Sequence, residues 1–137
     1  MRATVCVPAV ILMLLAAVPA HAALDTCFAD SLGSWRGPVW NGPGLQVMDT
    51  EFNVAPDGTL TGRYHVYDTD PFDGTLTEFR QTGRCEADFV WTDRYGTGTV
   101  HIQFEPEIGR FIGGWGVQGI APSLEFDGFR KRPPAVS

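Results

Sequence analysis

The sequence predicts an all-β chain, a small antiparallel eight-stranded up-and-down barrel of meander topology. Three observations predict it. Gly and Pro recur too often beyond residue 22 for a helix of ordinary length. Apolar and polar residues alternate with period two in several short segments, the pattern of strands with one buried and one wet face. Turn sequences separate those segments closely enough for hairpins, so each strand can pair with the next, and eight such strands can close on themselves and remove their edges.

Residues 1–22 read as a secretory signal. Arg2 gives the positive start, Val10 to Val18 a short apolar core, and Ala20-His21-Ala22 the cleavage site. The core is shorter than the ~20 residues that a membrane-spanning helix needs. Removal leaves 137 − 22 = 115 residues, a length that suits one domain over 23–132, with 133–137 as a disordered tail.

The strands follow in order. Residues 35–40 form the first, interrupted at Gly37-Pro38, and 45–55 the second. Pro56-Asp57-Gly58 makes a tight turn, with Pro at its second position and Gly where a positive φ is needed. The third is 59–67, and a longer turn over 68–74 leads to the fourth, 75–82. The fifth is 84–92, the sixth 99–105 after a turn over 93–98, the seventh 110–117 and the eighth 124–131.

Charge narrows the partners. Without Arg2, nine Lys and Arg stand against 16 Asp and Glu, a net of −7, and three of the nine cluster at Arg130-Lys131-Arg132. Such a chain repels phosphate backbones, which argues against nucleic acid. No Lys precedes Lys131, so the body holds no amine for Schiff-base chemistry. Cys6 leaves with the signal, and Cys27 and Cys85 remain as an even pair that reads as one disulfide in an oxidising compartment, secreted or periplasmic.

The alternation also names the interior. Cys85, Ala87, Phe89 and Trp91 share one face of the fifth strand, Val100, Ile102 and Phe104 one face of the sixth, and Leu60, Gly62, Tyr64 and Val66 one face of the third. The inward set is aromatic: Trp35, Tyr64, Phe89, Trp91, Phe104, Phe111 and Trp115, with Gly62, Gly113 and Gly128 between large rings. Two readings of that interior stand. The rings line a pocket, or they fill the barrel, since eight strands enclose just enough space for side chains.

Leu32-Gly33-Ser34-Trp35 is similar to the G-x-W opening of lipocalins and avidins. Gly58-Thr-Leu-Thr-Gly62-Arg-Tyr64 resembles the second hairpin of avidin-like barrels, and Trp91 and Tyr95 have a spacing seen in streptavidin-like chains. The resemblance covers residues 32–115 and implies a short barrel with Trp35, Tyr64 and Trp91 as pocket walls. Gly37 stands where avidins carry an Asn that reaches the ligand, so the resemblance implies the architecture and not biotin binding.

Other constellations point to ordinary structure. His65 and His101 fall on outward faces of strands that a meander keeps apart, and zinc needs three or four converging ligands. Asp68, Asp70 and Asp73 share one loop, but their spacing departs from a calcium loop and reads as an Asp-rich turn. No serine lies in a nucleophile elbow, and Glu105 and Glu107 flank Pro106 in a turn. No catalytic residue, metal or cofactor is therefore expected.

These readings give a non-catalytic, exported protein that binds a small apolar or aromatic molecule in the barrel mouth, with Trp35, Tyr64, Phe89, Trp91, Phe104 and Trp115 as its ligand-binding residues. The alternative is a secreted or periplasmic interaction module, an inhibitor or accessory subunit whose acidic surface meets a basic protein. A third is an enzyme that uses Tyr64 and an inward carboxylate as acid and base.

Overall fold

The computed structural model describes residues 2–6, 8–9, 11 and 24–132. The apolar core of the expected signal, apart from Ile11, its expected cleavage site and the expected tail 133–137 lie outside the described residues. Among the described residues no helix is long and apolar enough to cross a membrane.

A short helix, α1 (Thr26–Ala29), precedes the strands β1 (Gly33–Trp40), β2 (Leu45–Val54), β3 (Leu60–Tyr67), β4 (Phe72–Gly83), β5 (Glu86–Asp93), β6 (Gly96–Glu105), β7 (Arg110–Val117), β8 (Leu124–Glu125) and β9 (Gly128–Arg130). Each of β1 to β7 pairs antiparallel with the next. β8 and β9 together make the eighth stave. They pair with β7, and β9 pairs with β1 through Trp35↔Arg130 and Arg36↔Phe129, which closes the barrel. The expected eight-stranded antiparallel meander barrel is the observed fold.

Several boundaries differ from the expectation, each for a local reason. β1 runs unbroken through Gly37-Pro38, paired with Met48 and Val47 of β2. β4 begins at Phe72, because Phe72 and Gly74 already pair with Val66 and Tyr64, which shortens the preceding turn. β4 then changes register between Thr77 and Arg80, where Glu78 takes a φ of 55°. Cys85 sits in the turn before β5, at a φ of 58°, and not on the strand face. The last stave is split at Phe126-Asp127, where Asp127 accepts the Gly113 N–H on its Oδ1 at 3.1 Å.

One end of the barrel is sealed. Cys27 of α1 and Cys85 form a disulfide with Cα atoms 5.7 Å apart. The 58-residue separation corresponds to about 4 kcal/mol of lost unfolded-state entropy. The bond presses α1 over the end, and Phe28 enters the core edge-on to Phe79 and Phe104 at 5.1 and 5.8 Å. Above that plug the interior is packed with rings. Phe52 contacts Phe89, Phe104 and Phe111 at centroid distances of 6.0, 5.1 and 5.6 Å. The inward glycines leave no gap: a Cβ on Gly128 would enter the Phe111 ring, and one on Gly113 would lie 2.5 Å from the Phe126 carbonyl oxygen. Most of the barrel is therefore the filled version of the two readings.

Candidate functional site

The opposite end is open, ringed by the loops 41–44, 68–71, 94–95 and 118–123. There the packing stops short and leaves a cavity of about 80 Å³. Its walls are residues near the ends of the strands: Val39 and the half-exposed Trp40 of β1, Tyr64 and Val66 of β3, Phe72 of β4, Trp91 and Asp93 of β5, Trp115 of β7, with Asn41, Tyr95 and Phe126.

The indoles of Trp91 and Trp115 meet edge to face, with centroids 5.3 Å apart and planes at 84°. Their N–H groups are used by the protein itself. Trp91 Nε1 donates to the Gly116 carbonyl at 2.9 Å, and Trp115 Nε1 donates to the Trp40 carbonyl at 3.0 Å. The second bond ties β7 across the mouth to the end of β1.

Tyr64 reaches the cavity from below. Its ring lies over Gly74, at a position where any Cβ would collide with it, and edge-on to Phe126 at 5.7 Å. Its hydroxyl donates to Asp93 Oδ2 at 2.7 Å, while Asp93 Oδ1 accepts the Tyr95 backbone N–H at 2.8 Å. Burial, then the hydrogen bond to Asp93, hold the Tyr64 hydroxyl far above the usual tyrosine range. The phenol stays neutral and serves as a fixed donor.

Of the six residues expected to bind ligand, Tyr64, Trp91 and Trp115 line this cavity. Trp35, Phe89 and Phe104 do not. Phe89 and Phe104 belong to the ring-packed middle of the barrel, and Trp35 is fully buried near the sealed end. Sequence reasoning missed Asp93 and Tyr95, because it placed both in a turn. β5 runs one residue further, so Asp93 extends the inward face of Ala87, Phe89 and Trp91. The signal was present in the alternation itself.

The remaining constellations are dispersed. Asp68 accepts from Asn41 Nδ2 at 2.9 Å, Asp70 pairs with Arg94 at 3.0 Å, and Asp73 pairs with His65 at 2.7 Å. His101 lies outward on Asp88 at 2.6 Å. Glu105 pairs with Arg110 at 2.8 Å, across the turn that follows β6. Among the described residues no group of three His, Cys, Asp or Glu side chains is placed to hold a metal. The basic run is engaged with the barrel: Arg130 lies over Trp35, and Lys131 Nζ donates to Asp49 Oδ2 at 2.8 Å. No family model, curated protein or solved structure matches the chain.

Proposed function

We propose that this is an exported, non-catalytic binding protein, an avidin- or lipocalin-like short barrel that receives a small apolar or aromatic group at its mouth. The observation that carries the reading is the interruption of an otherwise filled barrel by one aromatic cavity at the open end. Concave apolar sites with a few fixed polar groups are the usual form of small-ligand pockets. At about 80 Å³ the cavity is well below the 300–1,000 Å³ of sites that enclose a whole drug-sized molecule. It therefore takes one compact end of a ligand and leaves the rest at the rim.

An acid–base enzyme has less support. Tyr64 is held neutral by burial and by its bond to Asp93, which suits positioning and not proton transfer near neutral pH. The acidic-surface partner reading also has less support, because Asp49, Glu51, Asp88 and Glu105 each face a cation of the same chain.

Tryptophan emission tests the proposal. Trp40, Trp91 and Trp115 line the cavity, while Trp35 is buried away from it. Titration with a panel of small ring compounds should give saturable emission changes that Trp115→Leu abolishes. A flat response across the panel, or saturation that survives Trp115→Leu, would count against a mouth site.

A further inference from the structure

We propose that the mouth cavity selects a compact cation, a quaternary or methylated ammonium headgroup. The inference rests on the small-ligand reading above and specifies the guest: a methyl shell supplies the apolar group that the rings receive, and a positive charge supplies what a neutral ligand lacks.

The walls point to it first. Trp40, Tyr64, Phe72, Trp91, Tyr95 and Trp115 surround one small space. Aromatic faces carry negative electrostatic potential and attract cations, most strongly where water is excluded. The indole N–H groups of Trp91 and Trp115, which would otherwise attract an anion, are bonded to backbone carbonyls.

The only charged side chain in the lining is a carboxylate, Asp93. It accepts one hydrogen bond on each oxygen, from the Tyr64 hydroxyl and from the Tyr95 N–H. A carboxylate has about four lone-pair sites, so these two bonds fix its direction and leave acceptor capacity and a full negative charge. A neutral guest would displace water from that charge and offer nothing in return, at a cost in desolvation. An ammonium group compensates it.

The rim already uses its rings in this way. The Arg94 guanidinium lies 5.1 Å from the Phe72 centroid and 5.0 Å from that of Tyr95, with its own charge offset by Asp70 at 3.0 Å. Two of the rings that line the cavity are thus already cation platforms.

Size restricts the cation to a headgroup. The cavity has about half of the ~150 Å³ with which an engineered apolar cavity accepts benzene. That matches a tetrahedral group of a few heavy atoms, with the remainder of the molecule outside. The chain's net charge of −6 favours the approach of a cation.

The test compares choline with its uncharged isostere 3,3-dimethylbutan-1-ol, by tryptophan emission and calorimetry on the intact protein. Choline should bind at least about tenfold more tightly, and Asp93→Asn should remove most of that preference. Asp93 supports the mouth, so a second variant guards against loss of the fold. Tyr95 is 64% exposed, and Tyr95→Leu should weaken choline several-fold while leaving the alcohol unchanged. Equal affinities for the two probes would overturn the cation assignment and leave the small-ligand reading standing. Choline binding insensitive to both substitutions would also overturn it. No response to either probe would also overturn the cation assignment, while the panel of ring compounds decides the small-ligand reading separately.

Discussion

The guanidinium of Arg130 stands 4.1 Å from the centroid of the Trp35 ring and fastens the end of the barrel to its beginning. Its Nη1 donates to the Leu32 carbonyl at 2.7 Å, and its Nη2 donates to the Asp30 carbonyl, across 98 and 100 residues of sequence. Trp35 in turn donates Nε1 to the Ser31 carbonyl at 3.0 Å. One side chain thus covers a buried ring and satisfies the carbonyls that α1 and its following turn leave behind.

Arg130→Ala should therefore cost about 2–3 kcal/mol, from lost charge-assisted hydrogen bonds and lost contact with the indole. Arg130→Lys should recover less than half, because an ammonium lacks the planar fork that reaches two carbonyls while stacking on a ring. Urea denaturation of the two variants checks this. A lysine variant as stable as the parent would show that the charge alone matters.

Thiol counting reports on both ends of the export reading. Cys27 and Cys85 are paired, and Cys6 is a free, exposed thiol. Under non-reducing, denaturing conditions the processed protein should show no thiol and the unprocessed chain one. Two or more in either form would show that the disulfide does not form.

Thr50 is 2% exposed, faces inward between Trp35 and Tyr64 in the sheet register, and its hydroxyl has no hydrogen-bond partner among the described residues. Thr50→Val keeps the shape and removes the unpaired group. It should raise stability by about 1 kcal/mol. A loss of that size in the melting curve would mean that the hydroxyl has a partner.

Tyr64 gives a pH signature. Its hydroxyl titrates well above the usual range in the folded state, mainly through burial. The unfolded chain ionises near pH 10 while the folded chain does not, so stability from this group is complete below that pH and is lost as pH rises through it. Tyr64→Phe should flatten the decline in stability above about pH 10. An unchanged alkaline limb in the variant would place the titration elsewhere.

The barrel was legible because inward residues repeat with period two and turns interrupt them regularly, and both signals are local. What was not legible depended on distant pairing. Asp93 continues the alternation of Ala87, Phe89 and Trp91, but it was read as turn because its pairing with Gly74 of β4 is what extends β5 to it. Gly37 looked like a break in the first strand. It is instead the place where the backbone of Asp127 and Gly128 crosses so closely that no Cβ fits, a contact across the closure of the barrel. Trp35 was grouped with the pocket residues because alternation gives the face of a residue and not its height in the barrel. Height separates Trp35, under Arg130 near the sealed end, from Trp115 at the mouth.

Native mass spectrometry of the protein purified from its own host tests the central claim most directly. The account predicts a small-molecule adduct on the parent chain, absent from Trp115→Leu under the same conditions while the variant still melts cooperatively. A bare chain mass for the parent, or an adduct carried equally by the variant, would contradict a ligand site at the barrel mouth.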